Sequence, residues 1–445
     1  MASSKPFLRQ DLSRPGLIRV ARGAFDSLKE HRRLASVDYP LGEVCSAALA
    51  MFMLKMPSML AFEKATLNPC IQHNLGTLFG VNEVPSDSQL RTILDPVNPA
   101  QLRPAFRAVH SKLQRGNALV NFTCFGGKQL LAMDGTGLYS STQVACPHCC
   151  VKNKKTGPEY YHQLVAAVLV HPDQKIVLPV DFEPITRADG VNKNDCERNA
   201  SKRLIKSVAA QYPKRRFVVL EDALAANGPH VQTLLENAMD YIIVAKPGGN
   251  AALFATLQER LQQGLTSEWE EEDQQKKITR GYRICKAVPL NSTYPDLLVN
   301  TLEYWEIDSK GKERVWCWIT NLEPTRENAE EFMRAGRSRW KIENETFNTL
   351  KNQGYHFEHN YGHGKQYLSS VLSGMCLLAF LIDQANEHAC RVFRQALASW
   401  HTRQNLWETF RGKFSGLCFP DWETCMAMMA DPYWKPVELP SIKPT

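Results

Sequence analysis

Long hydrophobic runs are missing from this sequence. The longest largely apolar stretch, Val44–Leu54, covers 11 positions, whereas a membrane span needs roughly 20. It is therefore expected to be a buried helix, and no membrane partner is expected. The opening residues Met1-Ala-Ser-Ser-Lys-Pro6 lack the apolar segment of a secretory signal, which points to the cytoplasm. A disulfide scaffold is not expected either. The 13 cysteines are scattered through 445 residues with no export signal, so reduced, mostly buried thiols are expected. No internal repeat and no zinc-finger spacing occurs. Disorder is excluded by a composition that is 44% apolar and 22% charged, typical of a soluble globular protein. A chain this long is expected to hold two or three structural units.

The charge that is present is unevenly placed. Net charge is +7, and residues 1–120 hold 15 Lys/Arg against 9 Asp/Glu, so nearly all the excess is N-terminal. A basic module beside a nearly neutral remainder suits a polyanionic partner, although such an excess is also ordinary for a soluble domain. That module reads as helical. Ser86 or Asp87 is positioned to cap a helix through Leu94 that Pro96 ends, and Pro99–Pro104 opens another to about Arg115. From residue 128 short apolar runs take over: Leu130–Met133, Leu164–Val170 and Ile176–Val180, the last two separated by the turn His171-Pro-Asp-Gln174. A helix from about Asn194 to Gln211, a strand Phe217–Leu220, a helix near Pro229–Ala238 and a strand Tyr241–Ala245 follow. Residues 265–322 interrupt this pattern. Trp269–Asp273 reads as an acidic turn, Lys277–Cys285, Leu298–Ile307 and Arg314–Ile319 alternate like antiparallel strands, and Asp308–Lys312 is a hairpin loop. After Pro324 a long helix with Thr325 as N-cap is expected to run to about Asn352, and a second from about Gln366 to Glu387.

Three acids stand at informative places in that order. Asp134 closes the run Gln129-Leu-Leu-Ala-Met-Asp134, Asp222 closes Arg216-Phe-Val-Val-Leu-Glu-Asp222, and Glu343 lies in the charged helix. An Asp at a strand end is often only a turn residue. Carboxylates from separate elements are also what two Mg²⁺ ions need, because Mg²⁺ prefers oxygen ligands and keeps positions for phosphate and water.

With those segments in view, the chain resembles the DDE transposases of bacterial insertion sequences, in the insertion-sequence-four branch. Leu131-Ala-Met-Asp134-Gly-Thr136 is similar to the family's first-Asp strand, and Val218-Val-Leu-Glu-Asp222-Ala223 to its second. Arg339-Trp-Lys-Ile-Glu343-Asn-Glu-Thr-Phe-Asn-Thr-Leu-Lys351 is similar to its Glu helix. The resemblance covers roughly residues 125–365. It implies an α/β fold: a ribonuclease-H-like mixed sheet with a β-rich insertion before the catalytic Glu helix, plus a helical N-terminal domain. The expected divisions are 1–122 (helical, basic, DNA-binding), 123–264 (first part of the core), 265–322 (insertion), 323–390 (Glu helix and closing helix) and 391–445 (helical tail). The first and fourth core strands should lie side by side.

The resemblance implies a transposase that cleaves transposon ends and transfers the 3′-OH into target DNA, with Asp134, Asp222 and Glu343 catalytic and holding two Mg²⁺, for which Mn²⁺ can substitute. The alternatives are a structure-specific nuclease of the same fold and a catalytically retired DNA-binding descendant. Double-stranded DNA is the expected partner, as terminal inverted repeats and target, bound by a homodimer in the bacterial nucleoid. Arg339 and Lys351 are expected to hold phosphate, with Lys341 a third candidate. Trp305, Trp316 and Trp318 are candidates to stack a flipped base at a hairpin intermediate, although each taken alone reads more readily as a core or cross-strand sheet aromatic.

Two positions depart from the family pattern. Gly336 stands where a Tyr is expected three residues before Arg339, and Leu350 where a Lys is expected seven residues after Glu343. At about 100° per residue Lys351 lies about 80° round an α-helix from Glu343, and Glu345 about 160°. Arg339 shares the Glu343 face, which favours Glu343 over Glu345.

Cys146-Pro-His-Cys149-Cys150, with His162 after it, is a candidate for structural zinc. No second Cys-x-x-Cys pair accompanies it, so reduced loop thiols are the plainer expectation. Lys152–Lys155 and Lys214–Arg216 are basic clusters that could line a DNA path.

Overall fold

The run that precedes Asp134 builds the central strand of the molecule. A computed structural model describes residues 12–190, 193–273, 275 and 277–431, without the side chains of Ser36, Asn194 and Asp195. Strand β1 (Thr123–Cys124) leads into β2 (Lys128–Ser141), whose residues 128–133 are all buried. On one side β2 pairs antiparallel with β4 (Gly157–His171), preceded by the short β3 (Cys150–Lys154), and β5 (Gln174–Ile185) continues outward from β4. On the other side β2 pairs parallel with β6 (Phe217–Glu221), and β6 with β7 (Asp240–Val244). Parallel neighbours need crossovers, supplied by the helices Lys193–Gln211 and Gly228–Glu236. The order β5-β4-β2-β6-β7 is ribonuclease-H-like, with the first and fourth core strands adjacent as expected. Leu164–Val170 of β4 and Phe217–Leu220 of β6 are unbroken apolar runs, and both stretches are buried.

The inserted strands extend this sheet. They are β8 (Ser267–Asp273), β9 (Ile278–Asn291), β10 (Tyr294–Ile307) and β11 (Glu313–Thr320). β11 pairs antiparallel with β7, so the sheet reaches eleven strands among the described residues. The acidic turn expected at Trp269–Asp273 is instead part of β8. Its carboxylates suit an exposed edge, where charge discourages pairing with other chains, and Arg283 and Arg280 of β9 bind Glu268 and Asp273 at 2.6 and 2.9 Å. The loop at Asp308–Lys312 turns through Gly311, whose φ of 75° suits glycine.

The long Glu helix is broken. It starts at Ala329, and Asn328 rather than Thr325 stands at its N-cap; the Asn328 side chain accepts from the Thr325 N–H at 2.7 Å. The α-helix ends at Arg337, and Ile342–Phe347 forms a π turn before α-helix resumes at Asn348–Asn352.

The chain divides into two compact units. One contains Leu119–Thr349 and Glu358–Gly374. The other contains the described residues up to Ala118, Leu350–Phe357, and those from Met375 onward. The C-terminal helices thus belong with the N-terminal ones. Asn74 donates to the Phe414 carbonyl and Trp422 to that of Leu78. In this helical unit Asp87–Leu94 carries a capping box on Ser86, and Arg103–Arg115 follows a 3₁₀ turn at Pro99–Leu102. One helix, Leu368–Ala389, is long and apolar enough to cross a membrane, but 89% of its apolar window is buried inside the fold, as a core helix would be.

Candidate active site

Asp134 and Asp222 face each other across two parallel strands. The β2–β6 register pairs Ala132 with Leu220, so each Asp follows the last paired residue by two. Neighbouring strands run about 4.8 Å apart, and both acids line one cleft. Asp134 Oδ1 accepts the Gly135 N–H at 2.8 Å, while Asp222 Oδ1 accepts that of Leu224 at 2.9 Å and starts the turn into the Gly228–Glu236 helix.

Glu343 reaches the same end of the sheet through Arg339. The guanidinium donates Nη1 to Asp134 Oδ2 at 3.0 Å and Nη2 to Glu343 Oε1 at 2.7 Å. Two carboxylates from strand and helix are thereby held a guanidinium's width apart. Asp134 is 18% exposed and Glu343 49%. Burial, opposed by Arg339 and reinforced by Glu343 and Asp222, pushes the Asp134 carboxyl up to about 7. Glu345 does not share this position. It lines a separate groove with Arg280, Arg334, Arg337, Trp340 and Lys341.

The π turn bears on Lys351. The Asn348 N–H donates to the Glu343 carbonyl, an i→i+5 bond that takes up about one more residue per turn than an α-helix. The eighth residue after Glu343 therefore comes to the angular place that the seventh holds in an uninterrupted helix. Leu350, at the seventh, is fully buried.

Other expected residues are placed differently. Lys341 Nζ donates to the carbonyls of His171, Pro172 and Gln174 at 2.7, 2.9 and 2.6 Å. An ammonium has three protons, so all are committed to the β4–β5 turn and Lys341 is not available to phosphate. Trp318 is buried against Gly336, and Trp305 is buried with its Nε1 on Glu270. Neither presents a face to a base. Trp316 is half-buried under the Arg337 guanidinium, 4.7 Å from its ring centre. Trp340, between Arg339 and Lys341, is exposed at 44%, and the sequence pattern did not single it out. Lys152–Lys155 forms the exposed tip of the β3–β4 hairpin, and Lys214 and Arg216 are exposed before β6.

Glu197 was also missed. It projects from the Lys193–Gln211 helix into the cleft of Asp134 and Asp222, and a Cβ on Gly135 would lie 2.9 Å from its Cδ. Burial, then the charge of Asp222, raises its carboxyl above the usual range. A lone Glu on an amphipathic helix carries no sequence signal for such a place. Buried Glu221 and His230, which line the same cleft, pair at 2.6 Å.

The cysteine motif converges with one unforeseen partner. Cys146, Cys149 and His162 meet His363, and their ligand atoms all lie within 4.8 Å of one another. Cys150 is not among them. Being the first residue of β3, it turns its Sγ toward the Ile185 carbonyl and the Gln163 amide, at 3.7 and 3.8 Å.

Among solved structures, a similar chain is the piggyBac transposase in a cryo-EM synaptic complex with hairpin DNA. It is 11% identical, with 99% of this chain and 88% of that one covered and a TM-score of 0.42. No curated protein sequence matches the chain. The family description "Transposase DDE domain" matches residues 125–381, more than half of the chain and the whole stretch from Asp134 through Glu343. The chain belongs to the DDE transposases.

Proposed function

We propose that the enzyme cleaves DNA at the ends of a mobile element and joins the freed 3′ ends to target DNA by a cut-and-paste route. The observation that carries this reading is the convergence of Asp134 and Asp222 at adjacent strand ends, with Arg339 linking Asp134 to Glu343. The donors fit a hard divalent cation. All are carboxylate oxygens, two stand on strand ends, and the burial and neighbouring carboxylates that push the Asp134 carboxyl up to about 7 are of the kind a bound cation offsets. Asp134, Asp222 and Glu343 would hold two Mg²⁺, or Mn²⁺, whose chemistry is activation of water and stabilisation of a leaving 3′ oxygen.

The chain's own groups supply the rest. Arg339 presents a planar fork suited to a phosphate once its carboxylate partners are engaged elsewhere. The π turn gives Lys351 the register of a phosphate-binding lysine. Trp340 offers an exposed ring beside a groove lined by Arg280, Arg334 and Arg337, a place for an unpaired base to stack. Double-stranded DNA bearing terminal inverted repeats is the substrate, with two copies of the chain holding two ends.

A strand-transfer assay tests this reading. Oligonucleotides carrying the inverted repeats that flank the gene should be nicked at the element boundary and joined to target DNA in Mg²⁺ or Mn²⁺. Cleavage without joining would assign a nuclease instead. Binding without either would assign a retired descendant.

A further inference from the structure

We propose that Cys146, Cys149, His162 and His363 bind one structural Zn²⁺. The four come from three separate places. The two cysteines lie in the loop between β2 and β3, His162 is in β4, and His363 lies in the segment after the Glu helix. Cys146 Sγ is 3.4 Å from Cys149 Sγ, and His162 Nε2 is 3.4 and 3.3 Å from the two sulfurs. His363 Nδ1 is 3.2 Å from Cys149 Sγ. A tetrahedron with Zn–S near 2.3 Å and Zn–N near 2.0–2.1 Å has edges of roughly 3.3–3.8 Å. These four edges match such a shell, slightly contracted, and the other two lie within 4.8 Å.

Hydrogen bonding among neutral thiols and imidazoles is a poor alternative. Two sulfurs and two imidazole nitrogens are gathered within 4.8 Å of one another, closer than a chain of separate hydrogen bonds requires, and Cys149, His162 and His363 are buried. The surroundings also have the build of a metal knuckle. The Cys149 N–H donates to the Cys146 carbonyl, turning the chain tightly, and the Cys146 N–H points at Cys149 Sγ at 3.3 Å, where it would favour a thiolate. Tyr139 packs its ring 5.5 Å from that of His162 and 5.1 Å from that of His363. Its hydroxyl donates to the Gly362 carbonyl at 2.6 Å, fixing the backbone next to His363. Binding displaces the two thiol protons to solvent and leaves a neutral Cys₂His₂ centre.

The site would act as a staple. It joins residues 214 apart, Cys149 and His363, and so fastens the segment that leaves the Glu helix to the strand that carries Asp134. It is separate from the carboxylates in ligand type and position. Zinc binding and Mg²⁺-dependent DNA chemistry can therefore fail independently.

Elemental analysis of the purified full chain, dialysed against Mg²⁺ buffer, is the test. About one zinc per chain is expected. Cys150→Ser and Asp134→Asn should each keep it, while Cys146→Ser and His363→Asn should each lose at least nine-tenths of it. Because the last two could misfold, Co²⁺ exchange into the wild-type chain gives a second reading. Thiolate-to-cobalt charge-transfer bands with intense tetrahedral d–d bands are expected. Folded wild-type protein free of zinc, a Cys146–Cys149 disulfide in its place, zinc retained by His363→Asn, or zinc lost from folded Cys150→Ser would each overturn the proposal.

Discussion

Trp318 lies so close over Gly336 that a Cβ there would sit 2.6 Å from the indole Cε2 and 2.7 Å from Nε1. The contact joins β11 to the helix leading into Arg339, and it depends on the absence of a side chain. It accounts for the missing Tyr of the family pattern, since the indole fills the space that a phenol would need. Gly336→Ala should cost about 1–3 kcal/mol through overpacking, and Gly336→Tyr more, with no gain in DNA cleavage. Urea unfolding midpoints check this. A Gly336→Tyr variant of wild-type stability would show that the helix yields easily.

Removing any one of the three acids should abolish chemistry while sparing binding. Asp134→Asn, Asp222→Asn and Glu343→Gln are each expected to slow end cleavage by about 10³-fold or more, roughly 4 kcal/mol of transition-state stabilisation. Glu345→Gln should stay within several-fold of wild type. Single-turnover cleavage on end-bearing DNA, with gel-shift affinity as control, separates these outcomes. A dead Glu345→Gln beside an active Glu343→Gln would reverse the assignment.

The raised Asp134 carboxyl has a pH signature. Its folded value of about 7 exceeds the value near 4 of an unfolded chain. Between those values the folded state holds a proton that the unfolded state has released, so metal-free stability from this group falls as pH rises from 4 to 7 and levels off above. Mg²⁺ needs the carboxylate, so its stabilising effect should grow over the same window. The rise in Tm on adding Mg²⁺ is expected to be larger at pH 8 than at pH 6, and Asp134→Asn should flatten the difference. Equal rises at both pH values in the wild type would refute it.

The parts of this site legible in the sequence are those with a local cause. A buried run that ends in Asp must place that Asp at a strand end, and an Arg four residues before a Glu shares its helix face. Glu197 and His363 had no such mark, because a single acid on a helix and a histidine in a Gly-containing loop acquire meaning only from what the chain brings to them. The β8 strand was misread because Glu-rich segments are poor strand formers unless an edge position and cross-strand arginines favour them. The π turn is silent in sequence, and the Lys351 register came out wrong for that reason.

In the helical unit, Asp383 stabilises two buried cations. Its Oδ1 accepts from Arg14 at 2.8 Å, and its Oδ2 from Lys55 at 2.6 Å and Tyr355 at 2.7 Å. Two of the N-terminal positive charges are thus internal and unavailable to DNA. Burial works against the charged carboxylate, but Lys55 and Arg14 outweigh it and hold the group below its usual range. Its contribution is present above the unfolded carboxylate value and is lost as pH falls toward the folded one. Asp383→Asn should cost about 3–5 kcal/mol by leaving buried charge uncompensated. Chemical denaturation at pH 7 measures this, and a loss below 1 kcal/mol would mean that the cations find other partners.

Lys341 and Lys351 should separate stability from function. With three charge-assisted bonds to the carbonyls of the β4–β5 turn, Lys341 is a structural group. Lys341→Met should lower stability by about 2–3 kcal/mol and leave the salt dependence of DNA binding unchanged. Lys351→Ala is expected to do the reverse, because a lysine that neutralises one phosphate adds close to one counterion to the slope of log K against log salt. The π turn sharpens the comparison. Deleting one residue from Glu345–Phe347 should restore α-helical register and place this lysine seven residues after Glu343, on the same face, so the deletion should keep the increment of slope that Lys351→Ala loses. A full slope in Lys351→Ala would remove Lys351 from the phosphate path.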